Sequence, residues 1–187
     1  RAKEVFGIAN KVSGMSMEKL IFAENEELNI TKYTQVAMLA VELAILKVLQ
    51  EKGISADVNA GLSLGEYAAL AASGGLSVYD ALALVVKRGA FMQEAVPTGG
   101  AMTAVLGLDN EVIEGICEKT EGIVTVANYN CPGQAVISGE EAAVQKAAES
   151  LKAAGAKRCV PLKVSGPFHS SMLEGAGKKL AAELEHV

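Results

Sequence analysis

A glycine-flanked serine, in the motif Gly61-Leu62-Ser63-Leu64-Gly65, sets narrow limits on the local fold of this chain. A short apolar run at residues 57–60 precedes the motif, and strong helix formers follow at residues 66–72. This order predicts a strand, a tight turn and a helix, with the serine hydroxyl lifted to the start of the helix. The two glycines are expected to let the strand and the helix approach closely. The motif therefore predicts a nucleophile elbow, the alternative being a glycine-rich turn with an ordinary capping serine.

Further along the chain, apolar spacing predicts a buried helix over residues 34–50 and another that begins near Tyr79 and ends before Pro97. A domain boundary is expected near Gly100. Beyond it we predict strand, helix, strand, strand, helix and strand at residues 101–108, 110–120, 123–127, 135–138, 140–154 and 158–164. This is the order of a ferredoxin-like unit. An amphipathic helix over residues 171–186 closes the chain.

Composition excludes several classes of protein. Half of the 187 residues are hydrophobic and 21% are charged, which indicates a globular chain rather than a disordered one. A net charge of -5 without a basic stripe argues against a nucleic-acid partner. Three widely spaced cysteines suggest neither a disulfide framework nor a metal site, and we expect reduced thiols and a cytoplasmic location. They are Cys117, Cys131 and Cys159.

No membrane segment or signal peptide is predicted. The most apolar stretch, residues 36–49, is shorter than the roughly 20 residues that cross a bilayer, and it contains Glu42 and Lys47. We therefore expect a buried helix there. The first residue is Arg1 rather than Met, which suggests that the sequence is a piece of a longer protein.

A serine nucleophile needs a base, and the chain has two histidines. His186 falls on the polar terminal helix, whereas His169 lies in a loop after an apolar strand, where positioned catalytic groups are common. His169 is therefore the candidate base, with a hydrogen-bonded structural histidine as the alternative. The amide of Leu64, at a helix N-terminus, is the candidate oxyanion donor. Glu66 in the first helical turn is assigned to the helix dipole.

Arg88 ends an apolar helical run. Most such arginines are solvated, and the sequence by itself favours that interpretation. A guanidinium facing a pocket would instead pair with a carboxylate on a substrate.

Four segments, in order along nearly the whole chain, together resemble the malonyl-CoA:acyl carrier protein transacylases of bacterial fatty acid synthesis. Those transacylases are members of the acyltransferase domain family of fatty acid and polyketide synthesis. The segments are Gly61-Leu62-Ser63-Leu64-Gly65-Glu66-Tyr67-Ala68-Ala69-Leu70, Lys87-Arg88-Gly89-Ala90-Phe91-Met92-Gln93-Glu94-Ala95, Asn128-Tyr129-Asn130-Cys131-Pro132-Gly133-Gln134 and Gly166-Pro167-Phe168-His169-Ser170.

The resemblance implies an α/β fold: an α/β-hydrolase-like core with a parallel sheet, at residues 1–99 and 161–187, and an inserted ferredoxin-like subdomain at residues 100–160. It also implies malonyl-CoA as acyl donor and the phosphopantetheine thiol of acyl carrier protein as acceptor. Coenzyme A enters as part of the substrate, so no cofactor and no metal are expected.

By the same resemblance, Ser63 carries the malonyl ester and His169 is the base. Arg88 pairs with the free malonyl carboxylate, Met92 borders the pocket, and Phe168 is typical of members that prefer malonyl over branched donors. Leu62, beside the serine, is also expected to contact the substrate.

The sequence departs from the family at Leu62, where a histidine is usual. The family's opening strand with its Gly-Gln-Gly loop, which supplies a second oxyanion contact, has no counterpart before Arg1. The later family segment that orients the histidine has no counterpart before Val187.

Two alternative functions stay open. One is a serine hydrolase that uses Asp80 or Asp109 as the acid of a triad. The other is an incomplete module that binds coenzyme A or carrier protein without turnover.

Overall fold

The structure is a computed structural model that describes residues 1–24, 26–164 and 166–187. The chain divides into two compact units. One comprises Arg1–Phe91 together with Lys179–Val187, and the other comprises Met92–Lys178.

The first unit is helical. Its helices are α1 (Ala2–Ser13), α2 (Met17–Phe22), α3 (Thr31–Glu51), α4 (Gly65–Ser73) and the greater part of α5 (Val78–Ala95), with a short 3-10 helix at Glu27–Asn29 and the end of the terminal helix at residues 179–184. The core forms where α3 presents residues at helical spacing, of which Val36, Leu39 and Leu43 are fully buried. The predicted core helix is therefore confirmed, and it begins three residues earlier than expected.

At 21 residues, α3 is long and apolar enough to cross a bilayer by length and composition alone. The core helix of a globular protein meets the same criterion. The fully buried positions on α3 are those expected of such a core helix.

The second unit contains a four-stranded sheet formed by β1 (Gly100–Leu106), β2 (Val124–Cys131), β3 (Gln134–Glu140) and β4 (Arg158–Pro161). The strands lie in the order β2-β3-β1-β4, and each neighbouring pair is antiparallel. Helices α6 (Asn110–Lys119) and α7 (Glu141–Ala153) complete the predicted element order. Apolar residues of the sheet and both helices share one core, namely Val105, Ile113, Ala135, Ile137, Val144 and Leu151.

Two boundaries in the second unit differ from expectation. The predicted strand over residues 158–164 ends at Pro161, because proline lacks the amide hydrogen that continues a ladder. The predicted terminal helix is α8 (Glu174–Leu184), and a short 3-10 helix, Ser171–Leu173, takes its expected first turn.

The strand predicted at residues 57–60 is absent, and this prediction was wrong. A strand needs a hydrogen-bonded neighbour, and the described part of the first unit contains no other strand for these residues to pair with. Val58 is accordingly 83% exposed. The antiparallel sheet of the second unit is the only sheet within the described residues.

Candidate active site

Ser63 stands in a strained backbone conformation directly before α4. Its φ is 55°, in the left-handed region that residues with a side chain rarely adopt. Among the described residues, the only other non-glycine residue with a positive φ is His169, at 60°. Such strain costs on the order of 1–3 kcal/mol and is concentrated at functional sites. Backbone strain therefore marks both residues that the sequence singled out as nucleophile and base.

The turn around Ser63 requires one of its two glycines. A Cβ on Gly61 would lie 2.2 Å from the carbonyl carbon and oxygen of Gly65, whereas a Cβ on Gly65 would meet nothing within 4 Å. The expected close approach thus occurs between the two ends of the turn itself. Gly61 is the residue that permits it.

The amides at the start of α4 are engaged in the turn, with one exception. The exception is Leu64: within the described chain its N–H has no hydrogen-bond acceptor. The three amides that follow donate to carbonyls of the turn, Gly65 to Leu62 at 3.0 Å, Glu66 to Ser63 at 3.3 Å and Tyr67 to Leu64 at 3.1 Å. A donor beside the serine, at the positive end of a helix, can receive an oxyanion.

Arg88 contacts the serine directly. Its Nη2 donates to Ser63 Oγ at 3.0 Å, and its Nη1 donates to Gln35 Oε1. The Arg88 Cζ lies 5.9 Å from the centroid of the Tyr67 ring. The interpretation of Arg88 as a solvated helix arginine is therefore wrong, because the side chain is half-buried and hydrogen-bonded to Ser63.

Close packing of α3 and α5 brings these residues together. A Cβ on Gly89 would lie 3.0 Å from the Lys32 Cα, so the two backbones nearly touch beside Arg88. Gln35, one turn further along α3, is 7% exposed and faces the guanidinium. No sequence motif includes Gln35. Its signal is a polar residue on the buried stripe of an apolar helix, which requires a partner.

The side chains in contact with Arg88, namely Gln35, Ser63 and Tyr67, are neutral. Burial lowers the pKa of the guanidinium, opposed by the Tyr67 phenol and then by the Glu66 carboxylate. Within the described residues, no carboxylate oxygen lies within 4 Å of Arg88. An arginine stays charged even when partly buried. The arrangement therefore leaves a cation beside the serine that can receive an anionic group.

His169 lies in the second unit, in a loop with its own supports. The Ser170 amide and hydroxyl both donate to the Pro167 carbonyl oxygen, at 3.3 Å and 2.8 Å. Pro167 is buried against Gly100, where an added Cβ would lie 2.3 Å from the proline Cδ. These contacts hold the backbone on both sides of His169, whose side chain is exposed.

The remaining predicted residues differ in their surroundings. Leu62 in the turn is 71% exposed. Met92 and Phe168 belong to the second unit and are half-buried. These three residues make up the set predicted from the sequence together with Ser63, Leu64, Arg88 and His169.

Neither aspartate proposed for a hydrolase triad is well suited to that role. Asp80 is engaged at the start of α5, where its amide and carboxylate bond the Ser77 hydroxyl at 3.0 Å and 2.5 Å. Asp109 occupies the N-cap of α6. His186 lies on the exposed chain end, and the described residues contain no cluster of three or more metal-ligating side chains.

The chain is similar in sequence to bacterial malonyl CoA-acyl carrier protein transacylases. The chain is 48% identical over 189 residues to the malonyl CoA-acyl carrier protein transacylase of Bacillus subtilis, covering 98% of this chain and 60% of that protein. It is 49% identical over 166 residues to the Escherichia coli transacylase, covering 87% of this chain and 54% of that one.

Solved structures agree with these relatives. A transacylase from Streptococcus pneumoniae superposes with a TM-score of 0.92 at 55% identity, over 100% of this chain and 62% of that one. A malonyl-transacylase in complex with its type II PKS acyl-carrier protein gives a TM-score of 0.95 at 46% identity, over 100% and 62%.

The mixed α/β structure, with its small antiparallel sheet, thus matches these transacylases. The chain spans about three fifths of the length of the relatives that it matches. The family model for the acyl transferase domain matches residues 2–187. The chain therefore belongs to the acyl transferase domain family.

Proposed function

We propose that the full-length protein carrying this chain transfers a malonyl group from malonyl-CoA to the phosphopantetheine thiol of acyl carrier protein, in fatty acid synthesis. The observation that carries the proposal is the Arg88 guanidinium, held 3.0 Å from Ser63 Oγ by neutral partners. An acyl group bound to that serine would need a negative charge within reach of the arginine. A malonyl group has one, and an acetyl group does not.

In the first half-reaction, Ser63 Oγ attacks the thioester carbonyl and its proton passes to His169. The Leu64 amide receives the oxyanion of the tetrahedral intermediate. The C–S bond then breaks, and coenzyme A leaves with the proton from His169. The products are free coenzyme A and a malonyl-serine ester.

In the second half-reaction, the carrier protein thiol gives its proton to His169 and attacks the ester. Ser63 Oγ leaves as the C–O bond breaks, and it takes the proton back. The charge pair between Arg88 and the malonyl carboxylate fixes the ester for this acceptor, while Met92 and Phe168 border the acyl pocket.

We also propose that the protein has a catalytic core and an inserted subdomain. Residues 1–99 and 161–187 belong to an α/β-hydrolase-like core with a parallel sheet, and residues 100–160 form a ferredoxin-like subdomain. The protein acts in the cytoplasm without a cofactor, membrane or nucleic-acid partner.

Donor selectivity tests the proposal. Arg88→Ala in the full-length protein should lower kcat/KM for malonyl-CoA by at least about 100-fold, because two charge-assisted hydrogen bonds of about 1.5–3 kcal/mol each are lost. The kcat/KM of the same variant for acetyl-CoA should not fall, because acetyl-CoA has no carboxylate to pair with Arg88. Lys87→Ala is the matched control, since Lys87 is the preceding residue and pairs with Glu183 rather than with the serine. Equal losses for both donors in Arg88→Ala would overturn the assignment of Arg88.

A further inference from the structure

The Tyr67 ring contacts the Arg88 guanidinium, but Tyr67 takes no part in the proposed reaction steps. It follows Ser63 by four residues on α4, and only 8% of its surface is exposed. The Arg88 Cζ is 5.9 Å from its ring centroid. The phenol oxygen forms no hydrogen bond with any other described residue. The ring face, rather than the hydroxyl, is therefore the part of Tyr67 that acts on Arg88.

A ring in this place has a physical role. Arginine has a long side chain, and two hydrogen bonds at its tip leave the rest of the guanidinium surface unsupported. An aromatic face within about 6 Å attracts the cation, and the attraction grows when water is excluded. Burial lowers the Arg88 pKa. A ring face that attracts the cation can compensate part of that desolvation and still leave the charge available to a carboxylate.

We infer that Tyr67 is a positioning residue that holds Arg88 in place for the carboxylate of the acyl donor. The inference rests on the proposed function of Arg88. It predicts that Tyr67 contributes to the choice of donor through Arg88 alone. The hydroxyl is dispensable, and an aliphatic residue of similar size is insufficient.

The test compares Tyr67→Leu and Tyr67→Phe in the full-length protein, with malonyl-CoA and acetyl-CoA as donors. Tyr67→Leu should raise the KM for malonyl-CoA by roughly 3-fold to 30-fold, the range of a partly desolvated cation–ring contact, with kcat little changed. Activity with acetyl-CoA should not change. Tyr67→Phe should have the same KM for malonyl-CoA as the parent protein. Tyr79→Leu, at an exposed tyrosine on α5, is the matched control.

Several outcomes would overturn the inference. Equal losses with both donors in Tyr67→Leu would mean that the ring only supports the turn before α4. A Tyr67→Phe variant as poor as Tyr67→Leu would assign the effect to the hydroxyl. The Arg88→Ala variant distinguishes failure of the inference about Tyr67 from failure of the proposed function. If Arg88→Ala abolishes the malonyl preference and Tyr67→Leu does not alter it, the inference alone fails. If Arg88→Ala keeps that preference, the proposed function fails as well.

Discussion

Gln35 holds Arg88 through a neutral amide, and replacing it by a carboxylate should block the site. In the Gln35→Glu variant, a negative oxygen stands where the Gln35 Oε1 now accepts from Arg88 Nη1. The guanidinium would then carry an internal counter-ion, and a malonyl carboxylate would have to displace it. The neutral amide holds the arginine without this competition.

The magnitude follows from the type of contact. Hydrogen bonds to charged groups contribute about 1.5–3 kcal/mol each, and a charge pair at about 4 Å near a protein surface has an upper limit of about 4 kcal/mol. Losing one such contact to the internal carboxylate corresponds to roughly a 10-fold to 150-fold fall in kcat/KM for malonyl-CoA.

The assay is transfer to acyl carrier protein by the full-length protein, with both donors. Gln35→Glu should lose activity with malonyl-CoA and keep its activity with acetyl-CoA. Gln35→Leu, which removes the acceptor without adding charge, should lose less than Gln35→Glu. Unchanged malonyl transfer in Gln35→Glu would refute the idea that Arg88 recognises the donor carboxylate.

Three further predictions concern the chain itself. Gly61→Ala should lower Tm by at least about 4 °C, because its Cβ would meet the Gly65 backbone, whereas Gly65→Ala should leave Tm unchanged or slightly higher; equal shifts would contradict the geometry of the turn. Burial raises the pKa of the Glu42 carboxyl from 4.5, so its ionisation above that pH opposes folding. Glu42→Gln should unfold at a higher temperature than the parent at neutral pH, and the gap should close as the pH falls through 4.5; a gap that widens towards acid would show the opposite sign. Burial raises the pKa of the Cys117 thiol to about 11, with smaller contributions from neighbouring acids, whereas Cys131 is exposed. Alkylation at mildly alkaline pH, followed by peptide mass analysis, should therefore modify Cys131 well before Cys117, and the reverse order would contradict the packing.

Sequence patterns predicted the features that depend on local geometry. The glycine-flanked serine indicated a tight turn before a helix, and the structure has that turn, with Ser63 at φ 55°. Apolar periodicity and turn residues were sufficient for the element order of the second unit, because each element there is defined by its own residues. The ends were less accurate: β2 extends to Cys131 through two irregularities in its pairing with β3, which no periodic pattern contains.

Features that depend on partners distant in sequence were not predicted. Arg88 contacts Ser63 across 25 positions and Gln35 across 53, and both contacts arise from helix packing. No spacing rule connects such residues, so the sequence by itself favours a solvated Arg88 and gives no sign that Gln35 belongs to the site. The missing strand at residues 57–60 has the same cause, since a strand exists only with a neighbour.

Formation of an acyl-enzyme is the central claim, and intact mass measurement tests it directly. The full-length protein, incubated with malonyl-CoA, should gain one malonyl group, which the Ser63→Ala variant should not. Addition of acyl carrier protein with its phosphopantetheine arm should discharge the adduct onto the carrier thiol. An adduct that remains in Ser63→Ala, or no adduct on the full-length protein, would contradict the assignment of Ser63 as the nucleophile of a malonyl transferase.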